Sequence, residues 1–192
     1  MKKIHVLILI FSILGFNAKA QNWIPDLGNG TYKNPILYAD YSDPDIIRVG
    51  EDFYMVASSF NAMPGIPILH SKDLVNWKII NHIYNSLPLE KYEKPAHGEG
   101  SWAPSIRYHN GTFYVYFCTP NDGLFMASAK NPIEKWNLNL VEKVEKWEDP
   151  CPLWDDDGNA YLVRGKVCAN ELFLHKMSPD GMKILDNGKL IY

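Results

Sequence analysis

Short apolar runs, each bounded by polar turn residues, recur along this chain, and no long stretch shows helical periodicity. Phe53-Tyr54-Met55-Val56-Ala57, Phe113-Tyr114-Val115-Tyr116-Phe117 and Ala160-Tyr161-Leu162-Val163 have the β-branched and aromatic content of strands. Each follows a turn containing glycine: Gly50-Glu51-Asp52, Asn110-Gly111-Thr112 and Asp157-Gly158-Asn159. Gly and Asn tolerate positive φ, so these turns predict tight hairpins.

Aligning the turns brings more of the chain into register. Before them lie Asp43-Pro44-Asp45-Ile46-Ile47, Ala103-Pro104-Ser105-Ile106-Arg107 and Asp149-Pro150-Cys151-Pro152-Leu153. After the aromatic strands come Ile68-Leu69-His70-Ser71, Leu124-Phe125-Met126-Ala127-Ser128 and Leu172-Phe173-Leu174-His175. The first two of these lead into Trp77 and Trp136, and the third into Ser178-Pro179-Asp180-Gly181. The X-Pro steps are 60 and then 46 residues apart. Repeats of about 40–50 residues built from antiparallel strands predict β-propeller blades. A β-sandwich shares the short strands and frequent turns, but not this parallel placement of units. Propellers close with about 4–8 blades, so three units read as part of a ring.

The first 20 residues are set apart. Lys2 and Lys3 precede a largely apolar run from Ile4 to Phe16, and Ala18-Lys19-Ala20 ends it with small residues. That order predicts a secretory signal peptide over 1–20, with the mature chain 21–192 secreted or periplasmic. The run is short of the roughly 20 apolar residues of a bilayer span, and nothing later in the sequence is apolar enough for one. The net charge of −3, without a basic block, argues against nucleic acid as a partner. Cys118, Cys151 and Cys168 form no metal-ligand spacing. They read as small core residues, with one disulfide of undetermined pairing as the alternative. Asp155-Asp156-Asp157-Gly158 lacks ligands at the outer positions of a calcium loop and reads as a solvated turn. No metal or cofactor is expected, and no G-x-S-x-G elbow supports a serine hydrolase. Asn29-Gly30-Thr31 and Asn110-Gly111-Thr112 fit glycosylation sequons and Asn-Gly turns equally well.

The first strand of a propeller blade lines the central channel, so equivalent residues on successive first strands face one axis. Asp43, Ala103 and Asp149 hold that equivalent position, each immediately before a proline. Two carboxylates remote in sequence are therefore expected at one end of the channel. Such a pair suits glycoside hydrolysis, where one carboxylate activates water and another group protonates the leaving oxygen. Phe60 and Trp102 offer apolar faces for a sugar ring, with a core role for Phe60 equally consistent.

Asn34-Pro35-Ile36-Leu37 followed by Ser42-Asp43-Pro44-Asp45-Ile46 resembles the opening of glycoside hydrolase family 43. Met63-Pro64-Gly65-Ile66-Pro67-Ile68, His70-Ser71-Lys72-Asp73-Leu74-Val75-Asn76-Trp77 and Ser101-Trp102-Ala103-Pro104-Ser105-Ile106 continue the resemblance in family order. Glu148-Asp149-Pro150, with Asp155 to Val163, completes it. The chain looks most like the β-xylosidase and α-L-arabinofuranosidase branches. The resemblance implies an all-β, five-bladed propeller of which this chain supplies about the first three blades, and an inverting mechanism. It implies Asp43 as general base and Asp149 as the carboxylate that orients the acid and tunes its pKa. Substrates would be xylan- or arabinan-derived oligosaccharides. The family's acid, a glutamate in a Glu-Gly-Pro setting on the next first strand, would fall beyond Tyr192. No Glu-Gly-Pro occurs here, and Glu99 in His97-Gly98-Glu99-Gly100 is not its match. A propeller that only binds carbohydrate, or one that scaffolds other proteins, are the rival readings.

Overall fold

The structure, a computed structural model, describes residues 23–192, so the expected leader over 1–20 lies outside the described residues. Among the described residues twelve strands form three four-stranded antiparallel sheets, each a meander in chain order. The first sheet contains β1 (Asp45–Val49), β2 (Asp52–Val56), β3 (Gly65–Ser71) and β4 (Lys78–Tyr84). The second contains β5 (Trp102–His109), β6 (Thr112–Thr119), β7 (Gly123–Ala129) and β8 (Asn137–Glu142). The third contains β9 (Trp147–Trp154), β10 (Ala160–Lys166), β11 (Ala169–Met177) and the short β12 (Lys189–Leu190). The predicted hairpins stand: Asn110 and Gly111 both have positive φ at the β5–β6 turn. The Asp155–Asn159 segment is a hydrogen-bonded turn between β9 and β10. The sequence reading stops short of the outer strands β4, β8 and β12. No helix among the described residues is long and apolar enough to cross a membrane.

Each sheet is a blade packed face to face on the next, and β6 shows how period-two patterning serves two interfaces at once. Val115 and Phe117 join Val56, Ile66, Ile68 and Ile106 in the core between the first two blades. The alternate residues Tyr116 and Cys118 join Leu124, Met126, Ala160 and Leu162 between the second and third. A strand buried on both faces has no polar side to display, which is why Phe113–Cys118 reads as an unbroken apolar run. At about 25 cal/mol per Å² of apolar surface, these two cores supply the main favourable term of the fold.

The inner strands β1, β5 and β9 share one irregularity. Trp102 pairs with Cys118 and Ser105 with Tyr116, so Ala103 and Pro104 together face Phe117. Glu148 pairs with Gly165 and Cys151 with Val163, so Asp149 and Pro150 face Arg164. In the first blade Asp45 pairs with Val56, and the Ser58 amide donates to the Ser42 carbonyl at 2.9 Å. Asp43 and Pro44 thus face Ala57. Each is a two-for-one β-bulge, where the ladder is interrupted and a proline forfeits no hydrogen bond.

Arg107 ties the three inner strands together. From β5 its guanidinium donates through Nη1 to Asp45 Oδ2 on β1 at 2.5 Å, and through Nη2 to Cys151 Sγ on β9 at 2.8 Å. Asp45 Oδ2 also accepts from the Ile106 amide at 2.9 Å, and Ser105 Oγ donates to the Pro150 carbonyl. All three cysteines are free. The expectation that they are core residues holds for Cys118 alone. Cys151 is half-buried as a partner of Arg107, and Cys168 is exposed at a turn with φ 62°.

The third blade buries a different cation. The Arg164 guanidinium lies 4.2 Å from the Trp147 ring and 3.9 Å from the Phe173 ring. Its Nε donates to His175 Nε2 at 3.2 Å, while Asp186 Oδ1 stands 3.4 Å from His175 Nδ1. Burial and the adjacent Arg164 charge hold the pKa of His175 below its usual 6.5.

Two predictions follow from these contacts. Replacing Arg107 by Met leaves Asp45 without its cation and should lower stability by about 2 kcal/mol, read from the urea midpoint. The depressed pKa of His175 means the unfolded chain binds more protons below pH 6.5. Stability should therefore fall as pH drops below 6.5, and His175→Gln should flatten that part of the urea-midpoint profile.

Candidate active site

The three bulges set the geometry of the channel end. Asp43, Ala103 and Asp149 have φ of 51°, 28° and 51°, all in the left-handed region. A non-glycine residue there costs about 1–2 kcal/mol, and a following proline further disfavours helical backbone. The same conformation at three matched positions belongs to the blade itself. It turns the bulge side chain out of the pleat, and in two of the three blades that side chain is a carboxylate.

The Asp43 carboxylate is held by hydroxyls from both strands of its bulge. Ser42 Oγ donates to Oδ2 at 2.8 Å and Ser58 Oγ at 2.7 Å. Ser58 Oγ in turn accepts from the Ala103 amide at 2.8 Å, which locks the first bulge to the second. Both hydroxyls bond Oδ2, and among the described residues no protein donor is bonded to Oδ1, the oxygen left to take a proton. Asp149 stands close enough to sense this charge. Partial desolvation and the negative charge of Asp43 both raise its pKa above 3.8. Glu148 beside it is raised by desolvation and by Asp149. For a carboxylate with a raised folded pKa, stability is greatest below 3.8 and is lost as pH rises through the folded value. A carboxylate whose pKa is raised both by burial and by a second carboxylate is the kind of group found at functional sites.

The two aromatic candidates come together beside these carboxylates. Phe60 (φ 49°, exposed) pairs with Ser101 through two backbone hydrogen bonds of 3.0 Å. Trp102 follows directly, half-buried, with its indole Nε1 donating to the Gly98 carbonyl at 2.9 Å. Gly100 makes the approach possible. Its φ is +88°, and a Cβ there would lie 2.0 Å from the Phe60 carbonyl oxygen. A cavity of about 370 Å³ lined by Ser42, Ser58 and Phe60 opens alongside.

The structure therefore gathers Asp43, Asp149, Phe60 and Trp102 around one end of the inner strands. Glu99 is occupied elsewhere, with Oε2 accepting from Lys91 Nζ at 2.6 Å. Among the described residues no group of three or more His, Cys, Asp or Glu side chains gathers as a metal site. Sequence reasoning missed Ser42, Ser58 and Arg107. For the serines a signal exists: Ser42 adjoins Asp43, and Ser58 faces it once two residues are counted against one across the bulge.

Comparison with known proteins gives the family. The profile of the glycosyl hydrolases family 43 matches residues 32–192. The chain belongs to this family. A protein named as a beta-xylosidase in Xylanibacter ruminicola is 52% identical over 87% of the chain and 32% of its own length. A beta-xylosidase of Formosa agariphila is 41% identical over 91% of the chain and 33% of its length. A solved family 43 protein of Bacillus licheniformis superposes with a TM-score of 0.73 at 33% identity, covering 84% of this chain and 33% of that one. The chain thus spans about a third of the length of these relatives. Its three sheets are three blades of the family's five-bladed propeller.

If the charge of Asp43 raises Asp149, Asp43→Asn should lower the Asp149 pKa. Carboxyl ¹³C shifts followed through a pH titration would measure it, and an unchanged Asp149 midpoint would separate the two sites.

Proposed function

We propose that this protein hydrolyses O-glycosidic bonds of β-xylosides or α-L-arabinofuranosides with inversion, acting on oligosaccharides derived from xylan or arabinan. The observation that carries the reading is the pair of carboxylates at matched bulges, with the charge of one raising the pKa of the other. Asp43 serves as general base. Its Oδ2 is pinned by Ser42 and Ser58, so Oδ1 accepts a proton from water as the water oxygen bonds to the anomeric carbon. The glycosidic C–O bond breaks on the opposite side, and the leaving oxygen takes its proton from a carboxylic acid. Inversion needs roughly 6.5–9.5 Å between acid and base, room that an open channel end provides. Asp149 acts through its charge, because a neighbouring anion keeps a carboxylic acid protonated and ready to donate. The acid itself we place on the inner strand of a further blade, since Glu99 is bound to Lys91 and among the described residues no other glutamate sits at a matching bulge. Phe60 and Trp102 offer flat apolar faces to the pentose.

Support for the substrate class comes from relatives named beta-xylosidase and, at 44% identity over 58% of the chain, non-reducing end alpha-L-arabinofuranosidase. The charged, apolar and small-residue segments of 1–20 favour export, with the site facing the periplasm or the exterior. A second reading, carbohydrate binding without turnover, applies to the 192-residue chain by itself.

Nitrophenyl β-xyloside and α-L-arabinofuranoside assays separate these readings. The 192-residue chain should show little or no turnover, and rapid hydrolysis by it would mean that the acid lies within these residues. In the protein completed with its remaining blades, Asp43→Ala should lower kcat by about a thousandfold, within the range of general-base contributions, while sugar affinity stays within a few-fold. A near-normal rate would remove Asp43 from the chemistry.

A further inference from the structure

The spacing between the second and third X-Pro steps is that of a compact blade, whereas the first spacing is longer. The extra length lies in the connection from Asn85 to Ser101, which contains a 3-10 turn over Glu90–Glu93 and runs directly into Trp102. A connection of this length with no strand of its own needs something to hold it. Lys91 is its anchor. The Lys91 ammonium reaches Glu99 Oε2 at 2.6 Å within the connection, and Asp122 Oδ2 at 2.8 Å on the β6–β7 turn. Tyr92 completes the knot, its hydroxyl donating to Asp122 Oδ2 at 2.8 Å and accepting from the Gly100 amide at 3.1 Å. Burial foremost, with the Asp122 charge, pushes the pKa of this phenol up to about 12, so it remains a donor.

These bonds converge on three residues. Gly98 gives its carbonyl to the Trp102 indole, Glu99 takes the Lys91 ammonium, and Gly100 lies against the Phe60 carbonyl. Lys91, and Asp122 through Tyr92, therefore hold the two residues that follow the carbonyl that orients Trp102, the second of them the glycine that lets Phe60 approach. Neither residue belongs to the channel strands, and Lys91 bonds no group at the carboxylate pair. Charge-assisted bonds of this kind, shared by one cation between two carboxylates, are stronger and more directional than neutral ones.

We infer that Lys91 is a positioning residue for the aromatic wall of the sugar site: its clasp on Glu99 and Asp122 holds Trp102 at the spacing that receives a pentose ring. The inference rests on the assignment of Trp102 to sugar contact made above. It makes Lys91 a determinant of affinity and not of the chemical step.

The test uses the 192-residue chain labelled with 5-fluorotryptophan. The chain has six tryptophans, and Trp102→Phe identifies one ¹⁹F resonance as that of Trp102. Lys91→Met should shift or broaden that resonance and leave the other five in place. It should also weaken xylobiose binding, followed by NMR titration, roughly fivefold, the equivalent of about 1 kcal/mol. Lys91→Arg should restore both. A Trp102 resonance unmoved in Lys91→Met overturns the inference, as does a shift spread evenly over all six signals. If Lys91→Met fails to fold, Glu99→Gln removes one arm of the clasp and should move the same resonance less, and no movement there likewise overturns it. Trp102→Ala judges the parent reading separately. If it leaves xylobiose affinity unchanged in the protein completed with its remaining blades, sugar contact by Trp102 is wrong, and the ¹⁹F result still decides whether Lys91 holds the ring.

Discussion

Three inner strands from three separate blades must stay in fixed register if side chains 106 residues apart are to act together, and the Arg107 guanidinium holds that register. Its planar fork suits the task, one nitrogen taking Asp45 of the first blade and the other Cys151 of the third. A lysine at the same place has one ammonium and no fixed fork. The two apolar cores press the blades together, but such burial is non-directional and tolerates sliding of one blade against the next. The hydrogen bonds from Asp45 to the Ile106 amide and from Ser105 to the Pro150 carbonyl set the register that the cores leave open.

With the strands so fixed, the bulges place the two carboxylates. A regular strand presents alternate side chains to its two faces, and in the middle blade both faces are buried against neighbours. A carboxylate destined for the channel end needs a position that escapes this alternation. Two residues set against one provide it, at the expense of left-handed backbone at Asp43, Ala103 and Asp149. The middle blade shows that the strain belongs to the architecture: Ala103 bears the same backbone without any ionisable group, and instead gives its amide to Ser58. Left-handed backbone and a raised pKa coincide at Asp149.

Much of this was legible in the chain. The hairpin turns, the aromatic middle strands and the matched X-Pro steps rest on local chemistry: glycine and asparagine at positive φ, alternating burial, and a proline confined to a broken ladder. The outer strands were harder to see. β4 and β8 pair on one side only, β8 mixing exposed with half-buried residues and β4 buried only at its last two, so their hydrophobic signal is weak. Arg107 resembles any strand arginine until folding brings it to Asp45 and Cys151, 62 and 44 positions away. Cys151 failed as a core residue for the same reason, since its partner is a cation from another blade. The pairing of Asp43 with Asp149 was readable because a repeat converts sequence position into spatial position. No comparable rule predicts a contact made by a loop.

That distinction divides the site into two kinds of material. The carboxylates stand on strands whose placement is overdetermined by ladders, cores and the Arg107 fork. The aromatic faces stand at the exit of the long Asn85–Ser101 connection, held by a few charge-assisted bonds around Lys91, Tyr92 and Asp122. Proton transfer tolerates little displacement, because rate falls steeply with misplacement of the base. Stacking on a sugar ring is broader in its geometry and can be adjusted without disturbing the base. A blade repeat interrupted at one connection thus separates the requirement for precision from the freedom to change specificity. The Lys91 clasp lies on the boundary between them, rigid enough to present Trp102 yet outside the strands that carry Asp43 and Asp149.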